Sequence, residues 1–393
     1  MFKEETLDII SQKWLSQFAE EDRPVAKLLL DSLVIISSHE EIVKGVYEII
    51  INFKENNHEG PIALFVAREN TGEPYFSKED KKPMAVAPRT GIGSEGELAH
   101  LIRDIAKKDC TFLDHPSIKE MRESKCRWIL IVDDIIGSGT RINKFVKWLF
   151  ENRTLKSWWS LKYTKVAICA YYASEYGIKH LEKNKFISKI EKYRFQKRGR
   201  VFWNKEIKKR MFDLCKRYAR YTSRPQFAYG YNGAFTLVVF PHKCPNTNPA
   251  ILWASKNDSW IALFGNRPEL YIKRWKEKDL RDLLKLLGEK GLSQSIVFSN
   301  LKREHQQLLL FLRCLSRKKR KEYILSEMME LTIPQIRLLI YECQKYGLID
   351  NQMYLTEEGK KLLKAAQKRV RSRAFHLEIK SDFYYPQSLR SPV

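Results

Sequence analysis

Apolar residues follow helical spacing at the start of the chain and form strand-like runs further on. From residue 4 to about 56 they recur every three or four positions, which predicts helices. Continuous apolar runs follow at 61–67, 128–132 and 165–173, with an amphipathic stretch at 142–149 between the last two. A strand buried on both faces is apolar throughout, and a crossover helix makes its two strands parallel. The pattern predicts an α/β fold with a parallel sheet and N-terminal helices along one side.

A further short strand and a helix are predicted between the first two runs. Residues 84–87 are apolar, and Ser94 and Glu97 have the spacing of a capping box before a buried helix face. The glycine-rich loop between them carries Arg89. Arg89 could bind a phosphate at the helix N-terminus. The same residues are needed for a plain helix entry, which we favour.

The last part of the chain returns to helical spacing. Apolar positions predict helices at 304–315 and 322–329, and Thr332 and Gln335 form a capping box that begins a third helix. A predicted hairpin at 346–356 and a closing helix follow. Three helices, a hairpin and a helix resemble a winged helix-turn-helix, whose third helix contacts bases in DNA.

Three side chains off the buried face of this third helix are therefore predicted to contact nucleic acid: Gln335, Arg337 and Lys345. The alternative is a domain for protein docking or dimerisation, because winged helices are reused for both and a fold does not fix a function.

The pattern divides the chain into five predicted parts. These are an N-terminal helical cover at 1–60, the α/β domain at 61–260, a helical connector at 261–300, the winged helix domain at 301–370 and a basic tail at 371–393.

Charge adds a partner to this picture. The chain has 393 residues and a formal net charge of +24, which attracts polyanions, although it could also serve only solubility. Its seven cysteines occur singly, so neither a zinc site nor a disulfide framework is predicted, and no metal-ligating residues are proposed. No signal peptide and no apolar run of membrane-spanning length is present, which predicts a cytoplasmic protein without a membrane partner.

Basic and aromatic residues alternate between 182 and 224, as they do in grooves that bind nucleic acid. Four basic residues there are predicted to contact nucleic acid: Lys205, Lys208, Lys209 and Arg210. The alternative is an amphipathic helix whose aromatic side chains face the core and whose charges are simply solvated.

The strongest candidate site follows the strand at 128–132. Asp133 and Asp134 lie at its carboxyl end, where open α/β sheets bind ligands. A loop suited to an anion comes next, with two glycines, two hydroxyls and a helix N-terminus. It consists of Gly137, Ser138, Gly139, Thr140 and Arg141. Carboxylates beside a phosphate-binding loop predict a ligand that carries hydroxyls and a phosphate.

This arrangement resembles the signature of type I phosphoribosyltransferases. The resemblance implies that Asp133 and Asp134 hold the ribose hydroxyls of phosphoribosyl pyrophosphate and that the loop holds its 5′-phosphate. The chain differs from the signature at two positions. It has Gly137 where many members have Thr or Asp, and Arg141 where they have Thr. Arg141 could still bind phosphate through two nitrogens. Arg68 lies where the family binds pyrophosphate, and a structural ion pair is its alternative. The alternative to this resemblance is a doubly wound sheet that has an acidic strand end and does not bind this ligand.

The segment 227–253 makes the resemblance more specific. Its Tyr-Gly-Tyr, apolar strand, Pro-His-x-Cys-Pro-Asn-Thr-x-Pro and final Trp are similar to phosphoribosyltransferase-like proteins of bacterial conflict systems, including those encoded beside retron reverse transcriptases. Together with the Asp-Asp strand, the likeness covers about 61–259. His242 and Asn246 are weak candidates for contact with the ligand.

This second resemblance implies an antiphage effector whose toxicity is restrained by a reverse transcriptase, its noncoding RNA and its reverse-transcribed DNA. It also implies glycosyl transfer or hydrolysis with Mg²⁺ and a ligand like phosphoribosyl pyrophosphate. A DNA-binding regulator that only senses a phosphoribosyl ligand is the main alternative, and an adaptor with an inactive pocket is another. Assembly as a homo-oligomer is left open.

Overall fold

The computed structural model of the chain describes residues 7–70, 72–77, 82–83, 94–265 and 280–367. The predicted strand at 84–87, Arg89 and the basic tail lie outside the described residues. Within the described ranges, no helix has both the length and the apolar composition needed to cross a membrane.

Seven strands and sixteen helices are described. The strands are β1 Val34–Ile35, β2 Ile62–Val66, β3 Phe112–Asp114, β4 Trp128–Ile136, β5 Lys165–Ser174, β6 Ile187–Gln196 and β7 Val238–Val239. The helices before residue 220 are α1 Leu7–Ser16, α2 Arg23–Asp31, α3 His39–Glu55, α4 Ser94–Lys108, α5 Ile118–Glu123, α6 Thr140–Leu149, α7 Arg153–Ser160, α8 Glu175–Leu181 and α9 Lys205–Ala219. The later helices are α10 Leu280–Leu286, α11 Lys290–Ser293, α12 Ile296–Asn300, α13 Arg303–Ser316, α14 Glu322–Met329, α15 Ile333–Lys345 and α16 Glu357–Gln367.

The main sheet has five parallel strands in the order β3-β2-β4-β5-β6. Successive side chains of the central strand β4 point to opposite faces. Leu130 packs in the core beneath α3 and α4, whereas Ile129 and Ile131 pack in the core beneath α6. Both faces are thus covered, which explains the unbroken apolar run. The predicted parallel α/β fold is confirmed.

The strand β6 is the main element that the sequence did not predict. It lies at the edge of the sheet, and most of its residues are only half-buried. Edge strands are often charged, because charge discourages pairing with other chains. Its lysines and arginines therefore made it look like part of a basic surface segment.

The aromatic residues near α9 belong to a core. Trp203, Phe212 and Tyr218 pack with Trp14 and Phe18 of the N-terminal region. They are therefore unavailable for stacking on bases, and for these three residues the alternative, aromatic side chains that face the core, describes the structure. Of the four basic residues predicted there, Lys205, Lys209 and Arg210 are exposed and Lys208 is half-buried. Their contact with nucleic acid stays a prediction.

The C-terminal helices form a separate core. Side chains of α13 to α16 pack around Leu310, Ile336 and Leu363, and a single antiparallel bridge between Ile349 and Leu355 forms the wing. The winged helix is thereby confirmed. The helices α10 to α12, from the segment expected to be a connector, contribute apolar residues to the same core.

Candidate functional site

The acidic pair lies at the centre of the sheet. Asp133 and Asp134 are the sixth and seventh residues of β4, which runs between β2 and β5. Their side chains are 2% and 0% exposed, and the backbone N–H of Asp134 donates to Asp133 Oδ1 at 2.9 Å. Two adjacent buried carboxylates repel each other, so the site must supply positive charge or donors around them.

Arg141 supplies much of that charge. It lies in the first turn of α6, and its Nη2 donates to Oδ1 of Asp133 and to Oδ1 of Asp134, the latter at 3.1 Å. Its Nη1 donates to Glu95 of α4 at 3.3 Å. The guanidinium therefore rests against three carboxylates. Its predicted contact with a ligand phosphate remains untested by this geometry.

The Oδ2 atoms of the acidic pair accept no hydrogen bond from Arg141. Oδ2 of Asp133 and Oδ2 of Asp134 are buried and have no hydrogen-bond partner among the described residues. Because Arg141 uses only the Oδ1 atoms, a ligand hydroxyl or a hard cation can meet the Oδ2 atoms without displacing the guanidinium.

The loop after β7 approaches Asp134 from another side. His242 Nε2 lies 3.4 Å and Lys243 Nζ 3.6 Å from Asp134 Oδ2. The His242 ring stacks on His39 of α3, with centroids 5.1 Å apart, and His39 Nδ1 lies 3.0 Å from Glu97 of α4. His242 was a predicted candidate. Lys243 and His39 were missed, because only the fold brings the loop after β7 and the helix α3 together.

The two carboxyl groups have pKa values shifted in opposite directions. Burial raises the pKa of Asp133 well above its usual value, and the adjacent charge of Asp134 adds to this despite the attraction of Arg141. Burial has the same effect on Asp134, but Lys243, His242 and Arg141 outweigh it and hold the pKa of Asp134 well below its usual value. Asp134 is therefore the more persistent anion of the pair.

The predicted phosphate loop connects β4 to α6. Gly139, with φ of 76°, adopts a left-handed conformation at the N-cap of α6, and glycine takes this conformation most readily. The Ser138 hydroxyl donates to Thr140 Oγ1 at 3.0 Å. His180 Nδ1 donates to the Ser138 carbonyl at 2.8 Å, and Ser174 donates to the Gly137 carbonyl. The loop is thus held in place from β5 and α8.

The segment 227–253 lies directly against this loop. A Cβ added at Gly137 would come within 2.7 Å of Thr247 Cγ2, so only glycine fits beneath it. Asn232 Nδ2 donates to Thr140 Oγ1 at 3.1 Å. The motif residues that carried the second resemblance therefore help to build the site, although most do so through backbone and packing.

The predicted candidate Asn246 is exposed, and its carbonyl accepts the backbone N–H of Tyr231 at 2.8 Å. The buried amide of the motif is Asn248, which hydrogen bonds with Thr236 and with the backbone of Val238. Asn248 fixes the loop that carries His242. Sequence alone could not separate two asparagines two positions apart.

Arg68 follows β2 and is only 6% exposed. Its guanidinium carbon lies 5.0 Å from the centroid of Tyr75 and 5.1 Å from that of Trp148. Its Nε and Nη1 have no hydrogen-bond partner, and it forms no ion pair within the described ranges. The geometry thus lacks the structural ion pair that was the alternative to an anion-binding role.

Metal binding by this chain alone has no support within the described part of the chain. No group of three or more His, Cys, Asp and Glu side chains there is arranged to hold an ion. A cation that carries its own ligands, such as Mg²⁺ bound to a diphosphate, needs fewer protein oxygens. Oδ2 of Asp133, which has no hydrogen-bond partner among the described residues, fits that requirement.

The structure has a parallel sheet, an acidic pair at a central strand end and a glycine-rich loop at 137–141 that is predicted to bind an anion and is called the anion loop below. Together with the following winged helix, these features define a phosphoribosyltransferase-like protein. Residues 11–266 match the family model PRTase-CE, and residues 309–391 match the model wHTH-PRTase associated. The chain therefore belongs to the PRTase-CE family, as the resemblance predicted. No curated protein and no solved structure matches it significantly.

Proposed function

We propose that this chain is a phosphoribosyltransferase-like effector of a retron-type antiphage defence system. Its pocket would act on a phosphoribosyl or nucleotide ligand by glycosyl transfer or hydrolysis. The observation that carries this proposal is the buried acidic pair, with Oδ2 of Asp133 unpartnered among the described residues, beside a glycine loop that begins a helix. Such oxygens are costly to bury unless a ligand supplies donors.

In this proposal the ligand would bind in one orientation. Its ribose hydroxyls would donate to Asp133 and Asp134, and its 5′-phosphate would accept N–H groups of the 137–141 loop. The buried guanidinium of Arg68 would face the anionic leaving group. Mg²⁺ bound with a pyrophosphate would neutralise the charge that develops on leaving, and the acidic pair would hold that ion together with the hydroxyls.

The chain's own residues would then stabilise the transition state. Bond cleavage at the anomeric carbon would leave positive charge on the ribose ring, and the persistent anion Asp134 would offset that charge. His242, within 3.4 Å of Asp134, is placed to orient that carboxylate.

The partners in this proposal are a reverse transcriptase, its noncoding RNA and its reverse-transcribed DNA, which would restrain the effector in the cytoplasm. The net charge of +24 and the exposed Lys205, Lys209 and Arg210 support an anionic partner. The winged helix supports nucleic acid as that partner.

The double substitution Asp133→Asn/Asp134→Asn tests the proposal. It preserves volume but removes the charge that would stabilise a cationic ribosyl transition state, so toxicity and turnover should collapse while partner assembly persists. The measurements are melting temperature, complex formation and the nucleotide profile of expressing cells by mass spectrometry. Asp109→Asn, which alters a carboxylate paired with Lys54 away from the pocket, is the control. A folded double variant as toxic as the wild type would overturn the proposal.

The second candidate function is a regulator that senses the same ligand without chemistry. The winged helix favours it, because such domains commonly regulate transcription. In that case the double variant should change ligand-dependent DNA binding, and expression of the wild-type chain should leave every nucleotide pool unchanged.

A further inference from the structure

The N-terminal end of α15 is covered by the sheet. Thr332, the N-cap of α15, is 4% exposed, and α15 packs against β6. Arg194 of β6 donates to the Glu330 carbonyl at 3.1 Å. In winged helices bound to duplex DNA, this end of the third helix enters the major groove. Here β6 occupies that space, and Gln335 is held in the capping box on Thr332.

The remainder of α15 presents a different surface. Arg337, Tyr341 and Lys345 follow one another at four-residue intervals, so they lie along one face of the helix. All three are exposed, and Tyr341 is 63% exposed. A large aromatic side chain between two cations on a free helix face gives no packing benefit within the chain.

A second exposed tyrosine lies on the wing. Tyr354 is 49% exposed, and the Arg320 guanidinium carbon lies 3.8 Å from its ring centroid. Glu322, two residues beyond Arg320, pairs with Arg337 of α15 at 2.9 Å. The wing tyrosine and the exposed stripe of α15 are thus linked on the same side of the domain. We call Arg320, Arg337, Tyr341, Lys345 and Tyr354 the tyrosine face.

We propose that the tyrosine face binds single-stranded nucleic acid by stacking bases on Tyr341 and Tyr354 while the cations pair with phosphates. Only unpaired bases offer their faces to such rings, whereas a duplex would need the covered end of α15. The inference rests on the nucleic-acid partner of the proposed function and names its strand form. It is independent of the chemistry in the pocket.

Fluorescence anisotropy with the full-length protein tests this assignment. The probes are an oligothymidylate of about 20 nucleotides, an oligouridylate of the same length and a duplex DNA of the same length. Both single strands should bind at least about tenfold more tightly than the duplex, and the tighter of the two identifies DNA or RNA as the source.

Tyrosine variants give the sharper measurement. Tyr341→Ala and Tyr354→Ala should each weaken single-strand binding about 5- to 150-fold, the range expected for one stacked base. Tyr341→Phe and Tyr354→Phe should bind like the wild type, because they retain the ring. Tyr47→Ala, which removes another exposed tyrosine on α3, is the matched control and should have no effect.

Equal affinity for duplex and single strands, or single-strand binding unaffected by both Ala variants, would overturn the inference while leaving the proposed partner in place. Absence of binding to every probe would overturn the inference and the nucleic-acid partner together. The nucleotide-pool measurement with the acidic-pair variant would still judge the pocket separately.

Discussion

At the scale of single residues, the positive charge of Arg141 offsets the repulsion among three neighbouring carboxylates. Asp133 and Asp134 are almost fully buried, and Glu95 approaches from α4. One guanidinium donates to all three. Because it donates only to the Oδ1 atoms of the pair, the proposed ligand would reach the Oδ2 atoms while this guanidinium stays in place.

Replacing this guanidinium should therefore cost stability. We expect Arg141→Gln to lower the free energy of unfolding by about 3 kcal/mol, since it leaves buried carboxylates without their main partner. Arg217→Gln, which breaks the pair with Asp22 at an arginine that is 50% exposed, should cost less than about 1 kcal/mol. Urea denaturation measures both.

A second substitution can show whether the stability lost in Arg141→Gln comes from the unpaired carboxylates or from a general disturbance of the packing. Adding Asp133→Asn to Arg141→Gln removes one of the stranded charges, so part of the lost stability should return. An Arg141→Gln protein as stable as the wild type, or a double variant less stable than the single one, would contradict this account.

At the scale of elements, the anion loop depends on close contact between β4, α6 and α8. A Cβ at Gly177 of α8 would lie 2.5 Å from the Gly137 carbonyl and 2.8 Å from Ile136 Cγ2. A Cβ at Gly139 would lie 2.8 Å from the Gly177 carbonyl. The loop therefore has its shape because two glycine-containing segments touch backbone to backbone.

We predict that Gly177→Ala destabilises the protein by about 1–3 kcal/mol, because the backbone of the loop must shift to admit the methyl group. Gly96→Ala is the matched control, since nothing lies within 4 Å of a Cβ at that position in α4. There the change should add about 0.5–1 kcal/mol by favouring the helix. Thermal denaturation of the two variants distinguishes them, and equal melting temperatures would contradict the predicted close contact.

The elements also explain how far the sequence could be interpreted. The run 129–132 is apolar because both sheet faces are covered, and a short apolar run of this length indicates such a strand in the sequence. Edge strand β6 carries charged residues among half-buried apolar ones. Its sequence therefore shows neither the alternating pattern nor the continuous apolar run that indicates a strand. The contact between Arg141 and the acidic pair depends on where α6 begins, which the sequence placed only approximately. Lys243 and His39 are 204 positions apart (243 − 39), so no local pattern could have put them in one site.

At the scale of the whole molecule, the winged helix is connected to the pocket through one loop. Glu327 of α14 accepts the backbone N–H groups of Lys197 and Val201, both at 2.8 Å. Within that loop, Arg198 donates to the Gly233 carbonyl at 3.0 Å. The neighbouring Asn232 donates to Thr140 of the anion loop at 3.1 Å. A partner that moves α14 would thus disturb the contacts of the anion loop.

The centre of this interface is a buried charge pair. The side chains of Arg200 and Glu327 are each 1% exposed, with Arg200 Nε 3.5 Å from Glu327 Oε1. Arg200 Nη2 also lies 3.1 Å from Glu330. Burial raises the pKa of Glu327 to about 7, against the opposing attraction of Arg200 and the two N–H groups. Such a carboxyl group makes the contact between the domains sensitive to pH.

The direction of that sensitivity follows from the shift. In the unfolded chain Glu327 loses its proton near the ordinary glutamate pKa of 4.5, whereas in the folded chain its pKa is about 7 and it keeps the proton up to about that pH. Its contribution to stability is therefore fully present below about pH 4.5 and is lost as the pH rises to about 7. We expect a loss of about 3 kcal/mol across this window, since one pKa unit corresponds to about 1.4 kcal/mol.

Urea denaturation at pH 5, 6, 7 and 8, followed by circular dichroism, measures this contribution as the difference between the wild type and Glu327→Gln. The free energy of unfolding of the wild type should fall relative to that of the variant as the pH rises to about 7, and should then level off, because Gln cannot ionise. Glu322→Gln, at a half-buried glutamate of the same helix that pairs with Arg337, is the control. A wild-type-minus-variant difference that is constant from pH 5 to 8 would mean that Glu327 is ionised throughout, and that Arg200 and the loop N–H groups fully offset its burial.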